Sequence, residues 1–139
     1  MVKKIILMHH AASIKNNVDS ELNHDGINMA KKLEGKYDIV IVSPYKKCFE
    51  TLILSEIKYK ILRFSILSTC KKDKEADKNF CKRMESFIEE ISAYSKLYSN
   101  ILVITHQDVI EFLTNKNINF GESVEYQDVE EDVDTNFDE

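Results

Sequence analysis

The sequence has little proline, glycine and cysteine and no tryptophan, and each shortage excludes a class of protein. One proline and three glycines in 139 residues exclude a collagen-like or low-complexity chain. Cys48, Cys70 and Cys81 lack CxxC spacing, which is typical of free thiols inside a cell rather than a disulfide framework or zinc cage. Apolar runs are too short to span a membrane. Because His9-His10 interrupts the apolar start, we predict no signal peptide and a cytoplasmic protein.

Charge is distributed unevenly along the chain. There are 19 basic and 24 acidic residues, for a net charge of −5. All the basic residues and 15 of the acidic residues precede Glu122, so the body carries +4 and the end is strongly acidic. We predict a domain at residues 1–129 and a disordered acidic tail at 130–139, which has too few apolar residues to offset its ordering entropy. We expect no nucleic-acid and no membrane partner.

Short apolar runs alternate with amphipathic segments. Strands are predicted at residues 4–8, 38–42, 59–67, 101–104 and 123–129, and helices at 27–33, 45–56, 80–98 and 108–114. Asn23 or Asp25 can cap the first helix, and Gly35 is expected to end it. Continuous apolar runs indicate strands buried on both faces. The pattern predicts an α/β fold, a single three-layer domain whose mostly parallel sheet is flanked by helices.

Three of the four histidines directly follow predicted strands. His9 and His10 come after the first strand, the segment 43–47 follows the second, and His106 follows the fourth. Because ligands of such sheets bind beyond the carboxyl ends of the strands, we expect His10 and His106 to face one another across a pocket. The fourth histidine, His24, is expected at the surface.

Four segments resemble, in order, the motifs of the histidine phosphatase (phosphoglycerate-mutase-like) superfamily. Residues 7–13 are similar to its Arg-His-Gly signature, and residues 22–33 to its Leu-Thr-x-x-Gly-x-x-Gln-Ala-x-x-Leu helix. Residues 43–51 resemble Ser-Pro-x-x-Arg-x-x-x-Thr, and residues 101–106 the strand that delivers the second catalytic histidine. The length is closest to the short SixA-like phosphohistidine phosphatases.

The resemblance implies a phosphoglycerate-mutase-like fold and a phosphohydrolase without a cofactor. Its substrate would be a phosphorylated small molecule or a phosphoprotein, that is, a phosphomonoester or a protein phosphohistidine. His10 would be the nucleophile that forms a phosphohistidine, and His106 the second pocket histidine. The remaining implied roles are phosphate contacts and a proton donor: His9, Lys47, Asn16 and Ser13 for phosphate, and Glu75 as the candidate acid.

The sequence departs from these motifs at both pocket arginines, which His9 and Lys47 replace. Neither side chain makes a planar bidentate fork. Since an ordinary histidine is partly charged near neutral pH, activity is expected to rise on acidification until His10 is protonated.

Other functions therefore stay open beside the phosphatase. One is a catalytically degenerate pseudophosphatase that binds a phosphorylated ligand or protein partner. Another is an interaction protein that uses the acidic tail. A metal site of His9, His10 and His106 is a further alternative, but adjacent histidines on an extended chain point in different directions, so no metal is predicted.

Overall fold

Strands and helices alternate along the chain in the computed structural model, which describes residues 4–15 and 19–127. The strands are β1 (Lys4–His9), β2 (Glu34–Val42), β3 (Glu56–Phe64), β4 (Asn100–Thr105) and β5 (Ser123–Glu125). The helices are α1 (His24–Lys31), α2 (Lys46–Leu54), α3 (Asp77–Ser95) and α4 (Gln107–Thr114), with a 3₁₀ turn at Ile66–Ser68. The α/β class predicted from the sequence is confirmed.

The strands form one sheet in the order β3-β2-β4-β1-β5. The first four of these run parallel, and β5 pairs antiparallel with β1. His9 of β1 lies opposite Thr105 of β4. The residues that follow β1, β4 and β2 therefore meet at one edge of the sheet, and they are His10, His106 and Ser43.

The central strands are buried because helices cover both faces of the sheet. Alternate side chains pack toward α3 and α4, in a core that includes Ile5, Leu7, Ile39, Ile41, Phe87 and Ile110. The intervening side chains pack toward α2, in a second core that includes Met8, Val40, Val42, Leu52 and Leu102. Each large side chain contributes about 1.5–3 kcal/mol when it is fully buried. Coverage on both faces explains the continuous apolar runs at residues 5–8, 39–42 and 101–104.

Helix α1 is capped and placed by two residues of its motif. The Asn23 side chain accepts a hydrogen bond of 2.8 Å from the Gly26 backbone N–H, which confirms Asn23 as the cap. Gly26 is buried, and a Cβ atom there would overlap the Ala12 carbonyl oxygen. A glycine is therefore required where α1 crosses the segment that follows His10.

Gly35 does not end the first helix, so that prediction was wrong. Helix α1 ends at Lys31, and Gly35 lies inside β2 with a φ of 147°. Strand β2 begins at Glu34, four residues before the predicted start, because the polar residues at its beginning pair with β3 despite weak hydrophobic patterning. The predicted third strand likewise lies earlier, at Glu56–Phe64. Hydrophobic patterning identifies an element more reliably than its ends.

The predicted acidic tail, residues 130–139, lies outside the described residues. No helix within the described ranges is long and apolar enough to cross a membrane.

Candidate active site

His10 and His106 lie side by side at the carboxyl edge of the sheet. Their ring centroids are 5.4 Å apart with the planes inclined at 67°. The His10 backbone N–H donates to the Thr105 carbonyl at 3.1 Å, which continues the β1–β4 ladder past the end of the strand. The structure therefore brings together the two histidines that the sequence placed in one pocket.

The imidazole of His10 is buried and is held by the backbone carbonyl of the next residue. Only 5% of the residue is exposed, and Nδ1 lies 2.7 Å from the Ala11 carbonyl oxygen. A carbonyl only accepts, so Nδ1 carries the proton and Nε2 keeps its lone pair. Burial lowers the pKa of His10 to about 3, and the positive charge of Lys47 contributes to this shift. His10 is therefore neutral over the physiological pH range.

His106 is neutral for the same physical reason. It is 4% exposed, and burial lowers its pKa to about 2, with His10 and Lys47 adding to the shift. Its Nε2 lies 2.8 Å from the Ser43 hydroxyl and 3.7 Å from the Cys48 sulfur. Ser43 directly follows β2, so the second strand orients the histidine that the fourth strand supplies.

His9 packs beside His10 rather than standing free in the pocket. The two ring centroids are 4.5 Å apart, and Nδ1 of His9 lies 3.3 Å from the Ile118 carbonyl oxygen. Burial lowers the pKa of His9, and this effect outweighs the Ile118 carbonyl, which raises it. His9 is therefore less readily charged than an exposed histidine, because a buried ring loses the hydration that stabilises its charged form. Its role as a phosphate contact stays a prediction.

Lys47 supplies positive charge to the site. It lies in the first turn of α2, and its charge lowers the pKa of His9, His10 and His106 alike. An amine that influences all three rings is close enough to attract an anion bound between them.

Ser13 and Asn16 are the two remaining predicted phosphate contacts. Ser13 forms an isolated bridge with Leu22, and its carbonyl accepts from the Asn23 side chain at 3.4 Å. The structure records no contact between Ser13 and the site histidines, so its phosphate role stays a prediction. Asn16 lies outside the described residues.

Thr51 fixes the backbone that follows the candidate nucleophile. Its hydroxyl accepts from the Ala11 N–H at 2.9 Å and donates to the Lys47 carbonyl at 2.6 Å. Residue 51 is the threonine of the Ser-Pro motif, although sequence reasoning gave it no role. The hydroxyl therefore links the His10 loop to the turn of α2 that carries Lys47.

Glu75, the candidate proton donor, forms an ion pair with Arg83. Both of its carboxylate oxygens accept from Arg83, at 2.8 and 3.0 Å, and the two side chains are 14% and 15% exposed. The Arg83 guanidinium holds the pKa of this carboxyl down at about 2. An ionised carboxylate has no proton to donate near neutral pH, so the structure does not support Glu75 as the acid. The guanidinium also donates to the Leu67, Thr69 and Cys70 carbonyls, which orders the loop before α3.

Sequence reasoning missed two aromatic residues beside the histidines. The Tyr45 ring lies 5.2 Å from His106, and the Phe120 ring lies 4.8 Å from His9 and 5.6 Å from His10. Tyr45 stands inside the Ser-Pro motif, which could have indicated it. Phe120 follows β1 by more than a hundred residues and carries no local signal.

The described residues contain no group of three or more histidine, cysteine or acidic side chains arranged to hold a metal ion. His9, His10 and His106 pack ring against ring instead.

Comparisons with known proteins find likeness in structure alone. The sequence matches no protein-family profile and no curated protein. The alpha-ribazole phosphatase from Shigella flexneri is 18% identical with a TM-score of 0.67, over 88% of this chain and 89% of that one. The protein histidine phosphatase SixA in complex with tungstate is 15% identical with a TM-score of 0.60, over 88% and 86%. Phosphoserine phosphatase from Entamoeba histolytica is also 15% identical with a TM-score of 0.60, over 89% and 90%.

These likenesses define the class of fold. The chain has the three-layer, phosphoglycerate-mutase-like architecture. More particularly, it shares this fold with the alpha-ribazole phosphatase and the SixA phosphatase named above, which confirms the fold that the sequence motifs implied.

Proposed function

We propose that this protein is a phosphohydrolase that acts on a phosphomonoester or a protein phosphohistidine, through a phosphohistidine on Nε2 of His10. The observation that carries the proposal is the 2.7 Å contact between Nδ1 of His10 and the Ala11 carbonyl. It leaves Nε2 unprotonated, and burial keeps the ring neutral. A neutral imidazole with a fixed tautomer is a ready nucleophile toward phosphorus. The named phosphatases that share the fold support the same chemistry.

In this mechanism the bond from Nε2 of His10 to phosphorus forms as the bond from phosphorus to the leaving oxygen of an ester, or to the leaving nitrogen of a phosphohistidine, breaks. The substituent leaves with the bonding electron pair, and water then attacks the phosphohistidine and releases phosphate. With the Ser43 hydroxyl donating to Nε2 of His106, the Nδ1–H of His106 is free to donate to a phosphoryl oxygen. Lys47 adds positive charge, and the N-terminal ends of α2 and α4 lie at the same edge.

The ion pair of Glu75 with Arg83 has a consequence for the choice of substrate. Because Glu75 is ionised and paired with Arg83, the chemistry is easiest for leaving groups that depart without a proton. p-Nitrophenyl phosphate meets this requirement and is therefore the first substrate to test.

A pseudophosphatase is the second candidate, and the state of His9 favours it. Where the resemblance implies two arginines, the site holds the cation Lys47 and a buried His9, whose pKa is lowered by burial. Loss of one well-placed donor costs about two to three orders of magnitude in rate. A site so weakened can bind phosphate without turning it over.

Turnover of p-nitrophenyl phosphate by the full chain separates the two candidates. We expect slow hydrolysis that His10→Asn abolishes and that the control His24→Asn, a change at an exposed residue of α1, leaves unchanged. Since His10 stays neutral well below pH 6, kcat/KM should show no loss from its protonation between about pH 8 and 5. Hydrolysis that survives His10→Asn would show that the chemistry lies elsewhere. Phosphate binding without turnover would establish the pseudophosphatase.

A further inference from the structure

Four aromatic rings contact one another in succession across the candidate site. Tyr45 contacts His106 at 5.2 Å, His106 contacts His10 at 5.4 Å, and His10 contacts Phe120 at 5.6 Å between ring centroids. The two histidines are the groups proposed to handle the phosphoryl group. The outer two rings, Tyr45 and Phe120, therefore stand on either side of whatever carries the phosphate.

Phe120 is held firmly and yet remains open to solvent. The Gly121 N–H, next in the chain, donates to the His9 carbonyl at 2.9 Å, and the Asn119 N–H donates to the Glu122 carboxylate at 2.8 Å. The residue is 43% exposed, and the ring contacts recorded for it are those with His9 and His10. Its exposed surface is thus an apolar wall presented beside the candidate nucleophile.

Tyr45 forms the opposite wall. It is half-buried, it precedes α2, and its ring meets His106 edge to face at 73°. Burial raises the pKa of the Tyr45 hydroxyl, and the neighbouring Cys70 side chain adds to this shift, so the far end of the ring faces the protein. Both walls are therefore in place before any ligand binds, so little ordering entropy is lost when a flat group enters between them.

The direction of the proposed attack brings the substituent past these walls. In-line displacement by Nε2 of His10 places the leaving atom on the far side of phosphorus. The substituent therefore extends away from His10 and His106, toward solvent. Aromatic pairs favour offset or edge-to-face contacts with centroids about 4.5–7 Å apart, the range in which these rings already contact their neighbours. An aromatic substituent can make such contacts, whereas a saturated ring of the same size gains only from burial.

We propose that this site selects phosphoryl groups carried next to an aromatic ring, and that Tyr45 and Phe120 are its specificity-determining residues. The inference rests on the proposed function, because it takes His10 and His106 as the phosphoryl-binding pair. The shared chemistry covers free aromatic phosphate esters and phosphorylated aromatic side chains of proteins.

A matched pair of non-hydrolysable ligands tests the selection without requiring turnover. Benzylphosphonate and cyclohexylmethylphosphonate share the phosphonate and the linking carbon, and they differ in whether the ring is aromatic. Titration calorimetry on the full chain should give benzylphosphonate the tighter Kd, by on the order of tenfold. Phe120→Leu and Tyr45→Leu should each reduce that ratio toward one. The control Phe64→Leu, at an exposed phenylalanine of β3, should leave the ratio unchanged.

The outcomes separate this inference from the proposed function. Equal affinity for the two phosphonates, no binding of either, or a preference that survives both leucine variants would overturn the inference. A preference that depends on Phe120 or Tyr45, in a protein that does not hydrolyse p-nitrophenyl phosphate, would support the inference and defeat the phosphatase.

A final arm identifies the source of the aromatic phosphate. It compares phosphonomethylphenylalanine as the free amino acid and within a short peptide. Tighter binding of the peptide supports the proposal with a protein side chain as carrier, and equal binding supports it with a small molecule.

Discussion

The two neutral histidines should make this protein sensitive to acid well above the pH at which carboxylates titrate. The pKa of His10 is lowered to about 3 and that of His106 to about 2 by burial, against 6.5 for an exposed histidine. Below pH 6.5 the unfolded chain therefore binds one proton on each of these two histidines, whereas the folded chain leaves both unprotonated. The unfolding free energy must fall as the pH drops from 6.5, and it continues to fall until the folded-state pKa values are reached.

The size of this loss of stability follows from the difference between the pH and the histidine pKa in the unfolded chain. At pH 4.5, two pH units below the unfolded pKa, each histidine costs about 2.7 kcal/mol of stability, at about 1.36 kcal/mol per unit. The pair costs about 5 kcal/mol, comparable with the whole stability of a marginal domain. Urea unfolding at pH 7 and at pH 4.5 measures this loss in the native chain.

The matching perturbation replaces both histidines with asparagine. In His10→Asn/His106→Asn neither position can bind a proton in the unfolded chain. The difference in unfolding free energy between pH 7 and 4.5 should therefore shrink by several kcal/mol, whatever the absolute stability of the variant. His24→Asn is the control, because this exposed histidine should leave the difference unchanged. A double variant that loses as much stability on acidification as the native chain would refute the assignment of buried neutral histidines.

Three other changes probe the framework around the site by thermal or urea unfolding. Arg83→Met leaves the half-buried Glu75 carboxylate without its partner and should cost about 1–3 kcal/mol, and an unchanged stability would contradict the pairing. Gly26→Ala forces a methyl group into the Ala12 carbonyl and should cost at least about 2 kcal/mol, so a neutral result would mean that α1 packs differently. Deletion of residues 130–139 should leave Tm nearly unchanged, as expected of a tail with few apolar residues, and a large drop would show that this segment packs.

The sheet and the edge that carries the candidate site could be predicted because they depend on local patterns. Continuous apolar runs identify strands that are buried on both faces, and the parallel topology then brings His10 and His106 together. Gly26 could be matched as a motif residue, although the reason for it, the overlap with Ala12, is visible only in three dimensions.

Other features could not be predicted because they depend on contacts distant in sequence. Burial lowers the pKa of His9, and the residues that its ring contacts, Ile118 and Phe120, lie more than a hundred positions away in the sequence. Glu75 looked available in a charged loop, and only its pairing with Arg83 on α3 removes it as an acid. Gly35 resembled a helix end because glycine often terminates helices, whereas here it serves strand β2.

Direct detection of a phosphoryl group on His10 tests the central claim most sharply. The full chain is mixed with p-nitrophenyl phosphate, quenched in alkali, and examined by intact mass and peptide mapping. We predict that the native chain gains one phosphoryl group on His10 and loses it in acid. His10→Asn should not gain this group, whereas His24→Asn should gain it as the native chain does. Turnover without any such species, or a phosphoryl group mapped to another residue, would contradict the account.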